Sequence, residues 1–212
     1  MPDNQGRPTL AELIAEIEDD IERADLGAQV AKAVDRAIRH YQPVRFFFNE
    51  RSLTFQTAPG IDVYGRGDAD AVPNLLAIDS AVLIESEQTA VLRRMPETEI
   101  ERLDDPTGPS RPCAFSYFDR SIRLWPVPSG EWTIRLTAHV LLPAPALDQG
   151  NAWTDEAGSL IAAWAKRHLA LNSLAKPSLA QAQSLLVADE ERRLKGRSNV
   201  IASSGQIQAC YL

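Results

Sequence analysis

The chain opens with two stretches in which apolar residues recur every three or four positions. Thr9 and Glu12 have the capping-box spacing that begins a helix, and Pro43 ends the second stretch because proline cannot continue one. The pattern therefore predicts a pair of amphipathic helices over residues 8–42. The apolar positions that carry it are Leu10, Leu13, Ile14, Ile17 and Ile21, followed by Val30, Val34, Ile38 and Tyr41.

The period changes after Pro43, where apolar and polar residues begin to alternate. We predict strands at 45–49 and 53–57, joined as a hairpin that turns at residues 49–51. A single short helix is expected over 96–103, because Pro96 suits a first helical position and acids fill the first turn.

Apolar patterning also predicts two further groups of strands. The β-branched runs at 75–85 and 88–94 predict a second hairpin, and the runs at 113–117, 121–125 and 132–141 predict an antiparallel meander. Residues 43–150 therefore form a β-rich module in this interpretation.

The helical period returns after the prolines that precede Gly150. A third helix is expected to open near Thr154 and a fourth at Pro177, ending near Gly196, so residues 152–196 form a second helix pair. Beyond it, 197–212 is too sparsely apolar for a core, which predicts an extended tail. The fold class is α+β: the helix pairs of 8–42 and 152–196 form a helical bundle around a central antiparallel β-module with an extended C-terminal tail.

The composition predicts a soluble, intracellular protein. The 212 residues are 44% hydrophobic and 24% charged, which is ordinary for a globular protein. No apolar stretch approaches the roughly 20 residues that span a bilayer, and no signal-peptide pattern opens the chain, so we expect cytoplasmic synthesis and no membrane contact. Cys113 and Cys210 are interpreted as free thiols.

The net charge of −7 argues against a broad nucleic-acid-binding face. Acidic residues crowd the first helix, and cations gather near the end of the fourth. That second group either complements the helix dipole or forms a basic strip that faces a partner or DNA inside a ring. It comprises Arg192, Arg193, Lys195 and Arg197.

Candidate catalytic chemistry is sparse. His40, His139 and His168 are far apart in sequence, the cluster Gly65-Arg66-Gly67 lacks a following helix, and no cofactor or metal motif is present. A glycosidase-like pair of acids, Glu99 or Asp104 with Asp119, stays open, because such pairs depend on spatial separation.

Several segments resemble the head-to-tail adaptor (connector) proteins of tailed bacteriophages and gene-transfer agents. Residues 37–41 leading into 45–50 are similar to that family's second helix and aromatic first strand, and 122–128 with 132–136 resemble its Pro-x-Pro hairpin. The similarity runs from Thr9 to Glu191. It departs from the family at residues 65–68, where relatives continue from tyrosine into Leu-Pro-x-Asp.

The resemblance implies a non-enzymatic virion protein, made in the host cytoplasm, that forms a ring of twelve copies below the portal protein. Tail or nozzle proteins would dock on the other side, and DNA would pass through the lumen without sequence-specific binding. Two alternatives remain: a virion-associated cell-wall hydrolase, or another neck or tail-completion protein. The tail would order on binding the portal or a neighbouring copy through Arg197, Val200, Ile201, Ile207, Tyr211 and Leu212.

Overall fold

The computed structural model describes residues 6–65, 72, 75–85, 88–103 and 108–202. For Ala202 it describes the backbone only. The fold is mixed α+β, as predicted. The described residues up to Phe48 and from Leu142 onward form one compact unit, called here the helical unit. Residues 49–141 form a second, the β unit.

The helical unit contains five α-helices. A short 3₁₀ turn at Ala24–Leu26 separates the first two, and Asn151 caps the third through its side-chain oxygen, which accepts the Trp153 N–H at 2.8 Å. The helices are α1 (Leu10–Asp20), α2 (Gly27–Tyr41), α4 (Ala152–Asp155), α5 (Gly158–Asn172) and α6 (Pro177–Ala202); α3 belongs to the β unit.

The predicted capping box of α1 is confirmed: Thr9 and Glu12 exchange side-chain to backbone hydrogen bonds. Two more N–H groups of the first turn find partners in the turn before α4. Leu10 donates to the Gln149 carbonyl and Ala11 to the Leu147 carbonyl, both at 2.9 Å. The donors that a helix N-terminus leaves unpaired are thus satisfied within the unit.

The core of the helical unit is built where α1, α2 and α5 meet, and α6 packs against α5. Trp153 is fully buried, and its indole N–H donates to the Leu142 carbonyl at 2.9 Å. This satisfies the one polar atom of a large apolar side chain. Other buried members include Ile17, Val30, Ala37, Ile38, Leu160, Ile161 and Leu169.

The predicted strand at 45–49 is wrong, and so is the hairpin that it would form. Residues Phe47–Asn49 make a 3₁₀ turn instead. Phe46 and Phe48 are buried against Trp153, with ring centroids 6.3 and 5.2 Å from the indole. The aromatic run was interpreted as a strand face, whereas its burial is against helices, which does not require pleated backbone.

The described residues of the β unit form two four-stranded sheets. The first has the order β1-β8-β3-β4 and is antiparallel throughout. The second has the order β2-β7-β6-β5, in which the β5 and β6 pair is parallel. The elements are β1 (Glu50–Gln56), β2 (Val63–Tyr64), β3 (Leu75–Glu85), β4 (Gln88–Val91), β5 (Arg93–Arg94), α3 (Glu97–Ile100), β6 (Ala114–Phe118), β7 (Ser121–Trp125) and β8 (Thr133–Val140).

Two of the predicted β pairings are confirmed and one is corrected. The β3/β4 and β6/β7 hairpins form, and the short helix after Pro96 is present as α3. The third strand of the predicted meander, β8, instead pairs with β1 and β3 in the other sheet. Strand alternation fixes which face of β8 is buried, but not the sheet to which it belongs.

One apolar cluster holds the two sheets of the β unit together. Alternate residues of β8 are fully buried, as expected for a strand with neighbours on both sides. Both sheets contribute large side chains, which is the arrangement of a two-layer β structure. The cluster includes Phe55, Ile78 and Leu83 with Ile134 and Leu136 from the first sheet, and Tyr64, Phe115, Ile122 and Leu124 from the second.

Helix α6 extends beyond its predicted end. It passes through Gly196 without a break and continues to Ala202, so the expectation of an extended chain from residue 197 is wrong for 197–202. One glycine in an exposed helix costs only about 1 kcal/mol, and contacts made by Arg197 and Ser198 hold the following turn. Residues 203–212 lie outside the described part of the chain.

Candidate interaction surfaces

Three of the six predicted partner-binding residues lie on the last turns of α6. Val200 is 75% exposed and Ile201 56% exposed. Arg197 lies one turn earlier. The remaining three, Ile207, Tyr211 and Leu212, are outside the described residues.

Arg197 contacts two other residues of the helical unit, Phe47 and Glu156. Its guanidinium lies over the ring of Phe47, 4.2 Å from the centroid, and its Nη1 donates to Glu156 at 2.7 Å. The neighbouring Ser198 hydroxyl accepts the backbone N–H of Phe47 at 3.0 Å. These contacts anchor the end of α6, so the structure gives Arg197 a positioning role that the sequence did not suggest.

The buried face of α6 is narrow. Ala180, Val187 and Leu194 are buried at seven-residue intervals, which place them on one stripe of the helix. Leu185 and Leu186, on other sides of the helix, are 68% and 48% exposed. A helix of 26 residues that buries so thin a stripe leaves most of its surface to solvent.

A second feature of the helical unit is a surface where α2 meets α5, called here the cationic–aromatic face. Trp164 stacks with both His40 and His168, with ring centroids 5.7 and 5.4 Å away. The Arg167 guanidinium lies 5.8 Å from the indole centre, and Arg36 donates to Nε2 of His168 at 2.8 Å. The face therefore combines three aromatic rings with two guanidinium groups.

Burial and nearby charges shift the pKa values of two side chains in this region, His168 and Tyr41. Burial, with the charges of Arg36 and Arg167, lowers the pKa of His168 from its ordinary value. Burial and the nearby Glu191 raise the pKa of Tyr41 to about 12, against the opposing effect of Arg167. At neutral pH these conditions favour a neutral His168 that accepts a hydrogen bond from Arg36.

Sequence reasoning missed the cationic–aromatic face, although a signal was available. Arg36 and His40 are four residues apart on α2, and Trp164 and His168 are four apart on α5. Helical spacing places each pair on one side of its helix. Which sides of the two helices face each other is decided by packing, and the sequence does not reveal it.

An acidic face lies on α1. Glu12, Glu16 and Asp19 are exposed and spaced so that they share one side of the helix, and we call this set the acidic face of α1. A shallow depression beside it is lined by Ala15, Glu18, Asp19, Glu22, Arg23 and Ala24.

The acids considered for hydrolysis do not assemble into a site among the described residues. Glu99 is exposed on α3, Asp119 is exposed at the turn between β6 and β7, and Asp104 is outside the described residues. The more enclosed acid is Glu97, whose carboxylate binds Arg123 at 2.7 Å and also accepts the Ser116 hydroxyl.

The three histidines occupy separate environments. His40 and His168 belong to the cationic–aromatic face, whereas His139 is buried in the β unit. Its Nδ1 is 2.9 Å from Asp79 and its Nε2 is 3.5 Å from Glu50. Nδ1 is buried and, although close to the Asp79 carboxylate, makes no hydrogen bond to a described residue. Within the described residues, no group of His, Cys, Asp and Glu side chains is arranged to hold a metal ion.

Cys113 is an exposed free thiol, and Cys210 lies outside the described residues. Of the glycine cluster, Gly65 is described and Arg66 and Gly67 are not. No helix in the described part of the chain is both long and apolar enough to cross a membrane.

The most developed features of the described residues are thus surfaces of a mixed α+β protein, which is what a structural or assembly protein needs. Comparison with known families agrees: the SU10 adaptor protein family matches residues 8–205, and the chain belongs to that family. It is a bacteriophage structural adaptor, as its resemblance to head-to-tail adaptors indicated, and family membership suggests a virion component rather than an enzyme. No curated protein matches the chain.

Proposed function

We propose that the chain is a head-to-tail adaptor that forms a ring of twelve copies between the portal protein and the tail, at the neck of the virion. The observation that carries this proposal is the family match over residues 8–205. A narrow buried stripe on α6 and two charged faces on the helical unit support it, since an assembly subunit needs surfaces that its own fold leaves open.

DNA would pass through this ring without sequence-specific binding. The net charge of −7 supports the idea, because a channel with few clustered cations does not hold phosphates tightly. Tail or nozzle proteins would dock on the side away from the portal.

Mixing the purified chain with purified portal rings tests the central proposal. Negative-stain images are expected to show an additional ring on one end of each portal particle, and mass measurement gives the copy number. Portal particles that stay bare at micromolar chain concentration would contradict the adaptor role. A copy number other than twelve would contradict the stoichiometry alone.

The C-terminal segment supplies the portal contact in this proposal. Arg197 sets the direction of the segment through Phe47 and Glu156, and the exposed Val200 and Ile201 begin the binding surface. Ile207, Tyr211 and Leu212 continue it. A segment that orders on binding can add a strand to its partner.

Two variants separate this contact from folding. Deleting residues 203–212, or introducing Val200→Asp with Ile201→Asp, is expected to abolish capping of the portal while leaving the circular dichroism spectrum unchanged. Leu147→Asp is the matched control, because Leu147 is also an exposed apolar side chain of the helical unit, 61% exposed. Portal capping that survives the deletion would refute a role for the tail.

A further inference from the structure

The two guanidinium groups of the cationic–aromatic face differ from their neighbours. Arg39, on the same helix as Arg36, forms an ion pair with Asp35 at 2.8 Å, and Lys166, beside Arg167, pairs with Asp20 at 2.6 Å. Arg36 and Arg167 form no ion pair with any described carboxylate. Arg36 uses a neutral imidazole as its acceptor, and Nε of Arg167 is buried without a hydrogen-bond partner.

The acidic face of α1 has the complementary property. Glu12 serves the capping box, whereas Glu16 and Asp19 have no ion-pair partner among the described residues. Three acids on one side of one helix repel one another, so a cationic partner would relieve an unfavourable arrangement as well as form new contacts.

We propose that the cationic–aromatic face of one copy of this chain receives the acidic face of α1 from a second copy. The contact joins two unlike faces, α1 on one side and the α2/α5 surface on the other. Repeated contacts of this heterologous kind close into a ring when the rotation between copies allows it. The inference rests on the proposed ring and names the surfaces that would form it.

The chemistry of the face fits a carboxylate-bearing helix better than a nucleic acid. A protein that holds duplex DNA by its backbone typically neutralises about six to ten phosphates, and this face offers two guanidinium groups and two histidines in a chain of net charge −7. Trp164 lies at the centre of the cationic–aromatic face and is half-buried. A tryptophan flanked by arginines is typical of residues that dominate protein interfaces.

Charge reversal on full-length chains tests the contact. One variant carries Arg36→Glu and Arg167→Glu, and the other carries Glu16→Lys and Asp19→Lys. Each variant alone would bring like charges together, so we expect its dissociation constant for self-association, measured by sedimentation alone and with portal, to rise about tenfold or more. In an equal mixture the reversed faces match again at every alternate contact, and association should return to within a few-fold of wild type.

A control variant, Arg102→Glu with Arg135→Glu, makes the same change in net charge on exposed residues of the β unit and should associate like wild type. Circular dichroism and thermal unfolding verify that every variant folds. Reversed variants that associate like wild type, or a mixture that does not recover, would overturn the proposed interface while leaving the ring in place.

Two other outcomes also decide the matter. A wild-type chain that stays monomeric both alone and with portal would remove the ring, and with it both the proposed function and this interface. The variant with Arg36→Glu and Arg167→Glu could instead lose affinity for a short DNA duplex while its self-association stays unchanged. That result would assign the face to nucleic-acid binding.

Discussion

The guanidinium of Arg197 covers the ring of Phe47, although 150 residues separate them in sequence. The same guanidinium binds Glu156, so a single side chain connects the end of α6 to two other parts of the helical unit. An exposed cation–π contact and a half-exposed ion pair each contribute about 0.5–1 kcal/mol. Their combined effect is large enough to hold one turn of helix, which alone is only marginally stable.

We therefore predict that Arg197→Gln frays the last turn of α6. Amide hydrogen exchange at residues 198–202 should accelerate about fivefold, which corresponds to the loss of about 1 kcal/mol. Arg192→Gln is the control, because among the described residues Arg192 pairs only with the exposed Asp189 on its own helix. Equal exchange in the two variants would show that the Phe47 and Glu156 contacts do not hold the turn.

Gly150 is predicted to be intolerant of a side chain. A Cβ added there would overlap the carbonyl of Pro8, which is backbone and has little room to move. The segment just before Gly150 also accepts two N–H groups of α1, so a shift would disturb that helix end. We expect Gly150→Ala to lower the free energy of unfolding by about 1–3 kcal/mol, measured by urea denaturation.

Gly196→Ala is the matched comparison for that variant. Its Cβ would meet nothing within 4 Å, and its backbone is helical. Alanine favours helix over glycine by about 1 kcal/mol, so this change should stabilise the chain by up to that amount. The same sign of effect for both glycines would contradict the assigned contacts.

Glu97 gives the β unit a pH-dependent contribution. Burial pushes the pKa of its carboxyl upward, but hydrogen bonds from Ser116 and Arg123 and the charge of Arg123 outweigh burial, so the pKa lies below its usual value. A lowered pKa in the folded state means that the ionised form stabilises the fold. That contribution is present above the unfolded-state pKa, about 4.3, and is lost as the pH falls through the lower folded-state value.

Accordingly, Glu97→Gln should cost about 1 kcal/mol at pH 7, since the group is only partly shielded from solvent. The difference from wild type should shrink as the pH falls below about 4. Urea denaturation at several pH values measures it, and Glu99→Gln, an exposed acid on the same short helix, should show no such trend. A difference that is independent of pH would assign the effect to packing instead of charge.

Local patterns in the sequence were sufficient for elements whose partners are close in the chain. The capping box of α1, the stop of α2 before Pro43 and the β3/β4 hairpin all depend on residues a few positions apart. Residues Phe46 and Phe48 show the limit. Aromatic residues in a short run are common in strands, yet a tryptophan more than 100 positions away, Trp153, determines what covers them.

The same limit applies to the candidate surfaces. The acids of α1 were visible as an acidic end of the chain, because they lie close together on one helix. The cationic–aromatic face requires two helices to lie side by side, so no single segment of the sequence predicts it. Arg197 was expected to bind a partner, and its pairing with Phe47 depends on a contact that only the folded chain defines.

Helix α6 allows a last prediction about which of its apolar residues belong to the fold. Leu185, Leu186 and Val187 are three consecutive apolar residues of this helix, and of the three the structure buries only Val187. Val187→Ala should therefore destabilise the isolated chain by about 1–2 kcal/mol, through lost burial and the cavity left against α5. Leu185→Gln and Leu186→Gln should each stay within about 0.5 kcal/mol of wild type, since exposed substitutions seldom do more. Urea titration followed by the helical far-UV signal measures all three. A leucine variant as unstable as Val187→Ala would mean that α6 packs on a different face from the one described.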